Sequence, residues 1–341
     1  MALEWPMQCW FAFVLILTIW PNQATSRDLH KSLSMAERHK QWMEKYGKAY
    51  KDDNEKQRHL QIFKNNVEYI ESFNAAGAKP YRLGINQFAD QTNDEFKAFR
   101  KGYKRPRDAR LGKTSFKYEN VTVVPANLDW RKKGAVTPIK NQGHCGSCWA
   151  FSAVAATEGI NQITTGTLIS LSEQELVDCD TKGNDQGCEG GYMEDAFKFI
   201  INNRGISSEA NYPYNETDGT CNTTMKAFPA AKITGYEQVP ANNETELLKA
   251  VANQPISVSV DAGGDFMFYE SGVFTGDCGT DLDHGIAAVG YGNTSEGVKY
   301  WLVKNSWGVE WGEEGYIRME RDVAAKEGLC GIAIDSSYPI A

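Results

Sequence analysis

Residues 9–20, CWFAFVLILTIW, form an unbroken apolar run. It is shorter than the roughly 20 residues a helix needs to cross a bilayer and about right for the apolar part of a secretory leader. Polar PNQATSRD follows, with Ala24-Thr25-Ser26 as a small-x-small cleavage site, so residues 1–26 are expected to leave as a signal peptide. Its start is atypical, because MALEWPMQ has no Lys or Arg and carries Glu4. Farther on the pattern becomes amphipathic: in EKQRHLQIFKNNVEYIESFN, Ile62, Phe63, Asn66, Val67, Ile70 and Phe73 recur at three-to-four spacing and predict a helix. Residues 101–115, KGYKRPRDARLGKTS, lose apolar periodicity and read as an exposed, cleavable linker. After them, LDWRKKGAVTPIKNQGH reads as a polar loop containing Gly and Pro, with no strand leading into Cys145. WAFSAVAATEGINQITTG predicts a helix ended by Gly166, with Ser147 at its N-cap. GIAAVGYG and KYWLVKNSW read as strands of a hairpin joined through NTSEG, where Gly297 supplies the turn.

Charge divides the chain at the same place as the pattern. The net charge of −8 hides 21 Lys+Arg against 13 Asp+Glu in residues 27–120, and 15 against 30 in residues 121–341. A basic segment joined to an acidic one predicts that the two dock, with attraction weakening as carboxylates protonate. The basic segment has no groove-reading motif and is diluted by acidic residues, so no nucleic-acid partner is expected. No second run is long enough to span a bilayer, and no membrane role is expected once the leader is gone.

Cysteine usage sharpens this. Of the eight cysteines, Cys9 leaves with the leader and seven remain, so six can pair and one is left as a potentially reactive thiol. Asn120, Asn215, Asn222, Asn243 and Asn293 head Asn-x-Ser/Thr sequons and are glycosylation candidates on the same secretory route. Cys145 and Cys148 are spaced C-x-x-C, which admits three chemistries. A zinc site needs further local ligands, and the five histidines (30, 39, 59, 144 and 284) offer no second pair; no metal is expected. A redox dithiol belongs early in a βαβ unit, which is not what precedes Cys145. The third chemistry makes one cysteine structural and the other a nucleophile.

Cys148 opens the predicted helix, where the positive end of the helix field favours thiolate. A nucleophile needs a base, and the base needs an orienting partner. His284, in LDHGIAAVGYG, stands at the mouth of one strand, and Asn305, in VKNSWG, at the end of the next. The hairpin between them predicts that Asn305 reaches the imidazole, with Trp307 covering that bond from water. Gln142, six residues before Cys148, can supply an amide donor to an oxyanion together with the Cys148 backbone N–H.

With Cys145-Gly146-Ser147-Cys148-Trp149, His284 and Asn305 in this order, the sequence resembles the papain family of cysteine peptidases. VPANLDWRKKGAVTPIKNQGHCGSCWAFSAVAATEG, LSEQELVDCD, CEGGYMEDAF and YWLVKNSWGVEWGEEGYIRM carry the likeness, which covers nearly the whole chain after the leader. It is most similar to the plant, cathepsin-L-like branch of senescence-associated type. The resemblance implies an α+β fold with a helical left lobe and a β-barrel right lobe, preceded by a helical propeptide. The expected divisions are a signal peptide at 1–26, an inhibitory propeptide at 27–120 and a catalytic domain at 121–341. In the propeptide the family's helix pattern stands as Glu55, His59, Phe63, Asn66, Ile70 and Asn74, with His59 in an Arg slot and Arg58 beside it. Gly84, Asn86, Phe88 and Asp90 match its second motif.

The resemblance also implies disulfides Cys145–Cys188, Cys179–Cys221 and Cys278–Cys330, which leave Cys148 free. It implies a substrate groove at Gly190 and Gly191, and a pocket for the second residue before the scissile bond (P2) at Tyr192, Met193, Ser259, Leu282 and Asp335, with Asp283 alongside. The pocket's apolar lining predicts a hydrophobic P2; whether Asp335 also admits a basic P2 or faces solvent is left open. The expected activity is that of a cysteine endopeptidase made as a self-inhibited zymogen, without cofactor, with a catalytically silent binding or storage protein as the rival. Polypeptide substrates, its own propeptide and cystatin-like inhibitors are the expected partners of a monomer. The secretory route leads to a lytic vacuole or lysosome-like compartment or to the extracellular space, and no KDEL-like C-terminus directs retention.

Overall fold

Several helices begin where a side chain satisfies the free amides of the helix start: Ser34, Asp52, Ser172 and Asn243 each accept a backbone amide of the first turn. The computed structural model describes residues 33–100, 102–105, 115–276 and 278–341. The leader, its cleavage site, Cys9 and residues 106–114 of the linker lie outside the described residues.

Residues up to Tyr50 form one unit. Its helix α1 (Met35–Tyr46) is capped by Ser34, whose Oγ accepts from the Glu37 amide, and is ended by Gly47 at φ +61°. His39 stacks on Trp42 at 5.7 Å between ring centroids.

The remainder, Lys51–Ala341, forms the second unit. Helix α2 (Asp53–Ala76) opens with a reciprocal cap: Asp52 accepts from the Glu55 amide at 2.8 Å, and Glu55 accepts from the Lys51 amide at 2.7 Å. Its buried face is Phe63, Val67 and Ile70, as the spacing predicts. The segment is not wholly helical, however. After α2 comes strand β1 (Tyr81–Leu83), which pairs antiparallel with a strand of the following domain, and then helix α3 (Asn93–Arg100). Three residues are too few to carry a readable period of two.

Next come β2 (Leu128–Asp129), α4 (Cys148–Thr165), α5 (Glu173–Cys179), α6 (Met193–Asn202), β3 (Gly235–Gln238) and α7 (Glu244–Val251). Strands β4 (Ile256–Val260), β5 (Tyr269–Phe274), β6 (His284–Asn293), β7 (Lys299–Lys304), β8 (Tyr316–Glu320) and β9 (Ser336–Ile340) complete the chain. The sheet runs β1-β5-β8-β7-β6-β4-β9-β3, and β2 pairs with β6. Strand β2 corrects the reading of its stretch as loop alone, since Leu128 and Asp129 pair with Tyr291 and Gly290. Gly290 permits this: a Cβ there would stand 2.3 Å from the Leu128 carbonyl oxygen.

The architecture is α+β with two cores. One surrounds α4–α6 and includes Val154, Leu176, Phe197 and Ile200; the other fills the sheet half around Phe266, Trp301 and Ile317. Helix α4 joins them, because Ser152 Oγ donates to the Ile286 carbonyl at 2.7 Å and Ser257 Oγ donates to the Ser152 carbonyl at 2.9 Å. Disulfides Cys145–Cys188 and Cys179–Cys221 staple the helical half and Cys278–Cys330 the sheet half. Each closes a loop long enough to remove on the order of 4 kcal/mol of unfolded-state entropy.

Candidate active site

Cys148 is the first residue of α4, and Gly166 at φ +76° ends that helix as expected. Ser147 occupies the N-cap position but does not cap with its side chain. Its Oγ instead meets Tyr214 Oη at 2.7 Å, and Tyr214 donates in turn to the Gln142 carbonyl at 2.8 Å. Among the described residues Cys148 is the free cysteine, while Cys145 is bridged to Cys188. The bridge removes the dithiol and zinc-pair readings of the C-x-x-C spacing.

His284 begins β6, and the antiparallel return of β7 delivers Asn305 one residue past its end. His284 Nε2 lies 2.8 Å from Asn305 Oδ1, an acceptor, so the ring donates there. The same Oδ1 accepts the Ser306 amide at 2.8 Å. Trp307, fully buried, stacks on the imidazole at 4.6 Å. The thiol sulfur accepts from the Gly285 amide at 3.3 Å, which ties the start of α4 to the start of β6. Gln142 is fully buried; its Nε2 donates to the Cys145 carbonyl at 2.9 Å and its Oε1 accepts from Ser306 Oγ at 2.7 Å.

The reading of residues 101–115 as an exposed linker needs correction. Gly102 and Tyr103 are buried in the cleft. Gly102 crosses directly over the thiol: a Cβ there would stand 2.0 Å from the Gly146 carbonyl oxygen and 2.8 Å from Cys148 Sγ. Gly191 donates to the Gly102 carbonyl at 2.9 Å and accepts from the Lys104 amide at 2.8 Å, so the segment pairs with Gly191 as a parallel bridge. On the other side, the Tyr103 amide donates to the Asp283 carbonyl at 3.3 Å. The sequence offered little signal for this, since a single Gly-Tyr within a basic run has no period to read.

This cover also decides the thiol's protonation. Burial pushes Cys148 up to about 12, although amides of Gly285 and Gly102 oppose it. The helix-terminus argument for thiolate is outweighed in this covered form because no water reaches the sulfur.

Of the expected pocket residues, Tyr192, Met193 and Leu282 share one apolar cluster with Tyr103. Asp335 is buried rather than solvent-facing. It accepts a short hydrogen bond from Tyr103 Oη and another from Tyr192 Oη at 3.3 Å, and Arg105 Nε lies 3.4 Å away. Ser259 Oγ donates to the Asp335 carbonyl at 3.1 Å. Asp283 accepts the Ala262 amide at 3.0 Å and pairs with Lys97 at 3.5 Å. Gly190, at φ +112°, turns the chain into this edge. Asn120, Asn215, Asn222 and Asn293 are exposed; Asn243 is half-buried and caps α7.

The segment before the cleft is anchored on the same centre. Phe88 and Phe96 meet Trp307 edge-on at 5.6 and 5.1 Å, and Gln87 Nε2 donates to the Trp307 carbonyl at 2.7 Å. Asn66 donates to the carbonyls of Ala89 and Gln91, which holds this loop on α2. His59, in its Arg slot, has Nδ1 at 2.8 Å from the Asp90 carbonyl, an acceptor, while Arg58 pairs with Glu95.

Known proteins show the same pairing of inhibitor and enzyme. Residues 39–96 match the cathepsin propeptide inhibitor domain, and residues 124–340 match the papain family cysteine protease domain. The senescence-specific cysteine protease SAG39 of Oryza sativa subsp. japonica is 58% identical, over 97% of this chain and 98% of the relative. Among solved structures, the recombinant stem bromelain precursor is 51% identical with a TM-score of 0.81, covering 90% of this chain and 98% of that one. The proform of the Amb a 11 cysteine protease, a ragweed pollen allergen, is 44% identical with a TM-score of 0.84, covering 92% and 96%. The molecule is therefore a cysteine endopeptidase made with its inhibitor as the N-terminal part of one chain. By sequence and by fold, the chain belongs to the papain family of cysteine proteases.

Proposed function

We propose that Cys148 is the nucleophile, His284 its base and acid, and Asn305 the group that fixes the imidazole, with Trp307 shielding that bond. Once the propeptide leaves, the thiol passes its proton to His284 Nδ1, because Nε2 is committed to Asn305. The thiolate attacks the scissile carbonyl carbon, and the C=O electrons move onto oxygen. The Cys148 backbone N–H and the second amide hydrogen of Gln142 hold that oxyanion. Collapse breaks the C–N bond, the amine takes the proton from His284, and a thioester remains. Water gives a proton to His284, attacks the thioester and releases the acid, and the thiolate regains its starting state with the imidazolium.

The observation that carries this reading is the seat of residues 102–105, a length of chain held on Gly191 with Gly102 against the sulfur. Gly190 and Gly191 then serve as the rung to which a substrate adds as an extended strand. Tyr192, Met193, Ser259 and Leu282 form an apolar P2 pocket, and Asp335 at its floor accepts a hydroxyl or a cation. Peptides with Leu, Tyr or Arg at P2 test this: Asp335→Ala should lower turnover of the Tyr and Arg peptides alone, and an equal effect on Leu would refute it.

The leader-like run and the exposed sequons support passage through the secretory pathway to a lytic vacuole or lysosome-like compartment or the extracellular space. Cleavages after 26 and near 120 yield a monomer that acts on polypeptides and is open to cystatin-like inhibitors. Incubating the chain from Arg27 at acid pH, with Cys148→Ala alongside, tests the roles. Shortening to a start near Val121 with thiol-dependent hydrolysis, absent in the variant, is expected. A trimmed protein without turnover would overturn the assignment.

A further inference from the structure

Behind Gly191 lies a pair of carboxyl groups that the chemistry above does not use. Asp185, 1% exposed, accepts the Tyr192 amide on Oδ1 at 2.7 Å. The same oxygen would be 2.7 Å from a Cβ at Gly191, so the carboxyl is packed directly behind the rung. Asp185 and Asp180 are close enough to act on each other's charge, and the Oδ2 atoms of both are buried with no hydrogen-bond donor among the described residues. Two ionised carboxylates cannot share such a site, because each is an acceptor and the like charges are desolvated together; one proton between them turns repulsion into a hydrogen bond. The surrounding charges do not supply that proton's role. Asp195 on α6 adds negative charge and is itself paired with Lys198 at 2.6 Å, while Asp218 accepts the Cys188 amide at 2.7 Å. Burial pushes the carboxyl groups of both Asp180 and Asp185 upward; Asp180 and Asp195 push Asp185 further, whereas at Asp180 the upward push of Asp195 is opposed by the contact with Asp185 and by Lys198.

We propose that Asp185, sharing one proton with Asp180, is a positioning residue that sets the Gly191–Tyr192 backbone for binding peptide, and that losing this proton unseats the rung. The inference rests on the proposed use of Gly191 by substrate. Acid keeps the proton in place, and rising pH removes it; the consequence belongs to binding, not to the acylation step, because neither aspartate touches the reacting atoms.

The test separates KM from kcat across pH in the acid-processed enzyme. Parent enzyme should show KM rising toward neutral and alkaline pH. Asp185→Asn keeps an acceptor for the Tyr192 amide and places an N–H where the shared proton sits, so its KM should match the parent in acid and stay flat as pH rises. Asp185→Ala leaves a buried amide without its acceptor and should raise KM about tenfold at every pH with kcat within about twofold. A D185N profile with the parent's rise, or an alanine variant with unchanged KM, would overturn the proposal. Hydrogen exchange at the Tyr192 amide in the full Cys148→Ala chain gives a readout that needs no turnover: protection should fall with pH in that chain and not when D185N is added. Equal loss in both would overturn it even if the catalytic assignment stands, and absent turnover in the parent would count against that assignment instead.

Discussion

Pairs of cationic side chains with carboxylates hold two regions of this molecule, and they do different work. Between α4 and β7, Lys140 bridges Glu158 at 3.0 Å and Glu173 at 2.7 Å, while Lys304 Nζ donates to Thr137 at 2.8 Å and lies 3.9 Å from Glu158. Glu158 and Glu173 are each 1% exposed. Burial alone would raise the Glu158 carboxyl, but the two ammoniums outweigh it and hold it below the usual range. In the propeptide, Arg58–Glu95, Lys97–Asp261 and Arg105–Asp335 sit at the edge of solvent, with the cationic side chains 55%, 24% and 26% exposed. A buried ion costs several kcal/mol when its partner is removed, whereas an exposed pair contributes about 0–1 kcal/mol. The catalytic half is thus locked through carboxylates that water hardly reaches, and the inhibitor is held through cations that water reaches.

The strongest way to break this contrast is at the thiol. Gly102→Val should lift the propeptide off Cys148, because no Cβ fits there. With burial relieved, the thiol falls from about 12 toward its ordinary value of 9.0. That raises the thiolate fraction at neutral pH roughly 10³-fold. Alkylation of Cys148 in the full chain at neutral pH reads this directly.

Next in size is the buried lock. Glu158→Gln leaves Lys140 and Lys304 short of a counter-charge and should destabilise the chain by about 3–5 kcal/mol, measured by denaturant unfolding. Phe88→Ala should weaken docking of the propeptide by a similar amount, about 3–5 kcal/mol, since Phe88 packs on both Phe96 and Trp307. Its signature is premature processing with mature activity unchanged.

The smallest effect sharpens the contrast rather than breaking it. Glu237 accepts from Ser115 Oγ at 2.8 Å, the Lys117 amide at 2.7 Å and Tyr338 Oη at 2.5 Å. Burial opposes ionisation, yet these donors hold its carboxyl below the usual range. The stabilisation from a depressed carboxyl is complete above the unfolded pKa of about 4.3 and is lost as pH falls through the depressed value. Glu95 behaves alike, through donors from Thr92 and Arg58 against opposing burial. Glu237→Gln should therefore flatten the acid limb of propeptide release by a modest shift in midpoint, followed as processing rate against pH; an unchanged midpoint would remove Glu237 from the response.

Much of this was legible in the sequence, and for stated reasons. The α2 face, the hairpin that joins His284 to Asn305, and the odd cysteine all depend on spacing along the chain. What escaped depends on contacts between distant segments. Gly102 reads as a linker residue until Gly146 and Cys148 are placed beneath it, and β1 has no period until β5 lies alongside. Ser147 has the right side chain for a cap, but Tyr214, 67 residues away, takes its hydroxyl. Helix-end electrostatics favour a Cys148 thiolate, and burial under the propeptide reverses the outcome.

The propeptide covers the cleft by lying on the thiol, and acid is expected to undo that seal. Labelling Cys148 with iodoacetamide in the chain from Arg27, at neutral pH and after acid treatment, with mass followed in parallel, tests it most directly. Almost no labelling of the intact chain is expected at neutral pH, and rapid labelling of the shortened product. Equal labelling of the intact and shortened forms would contradict it.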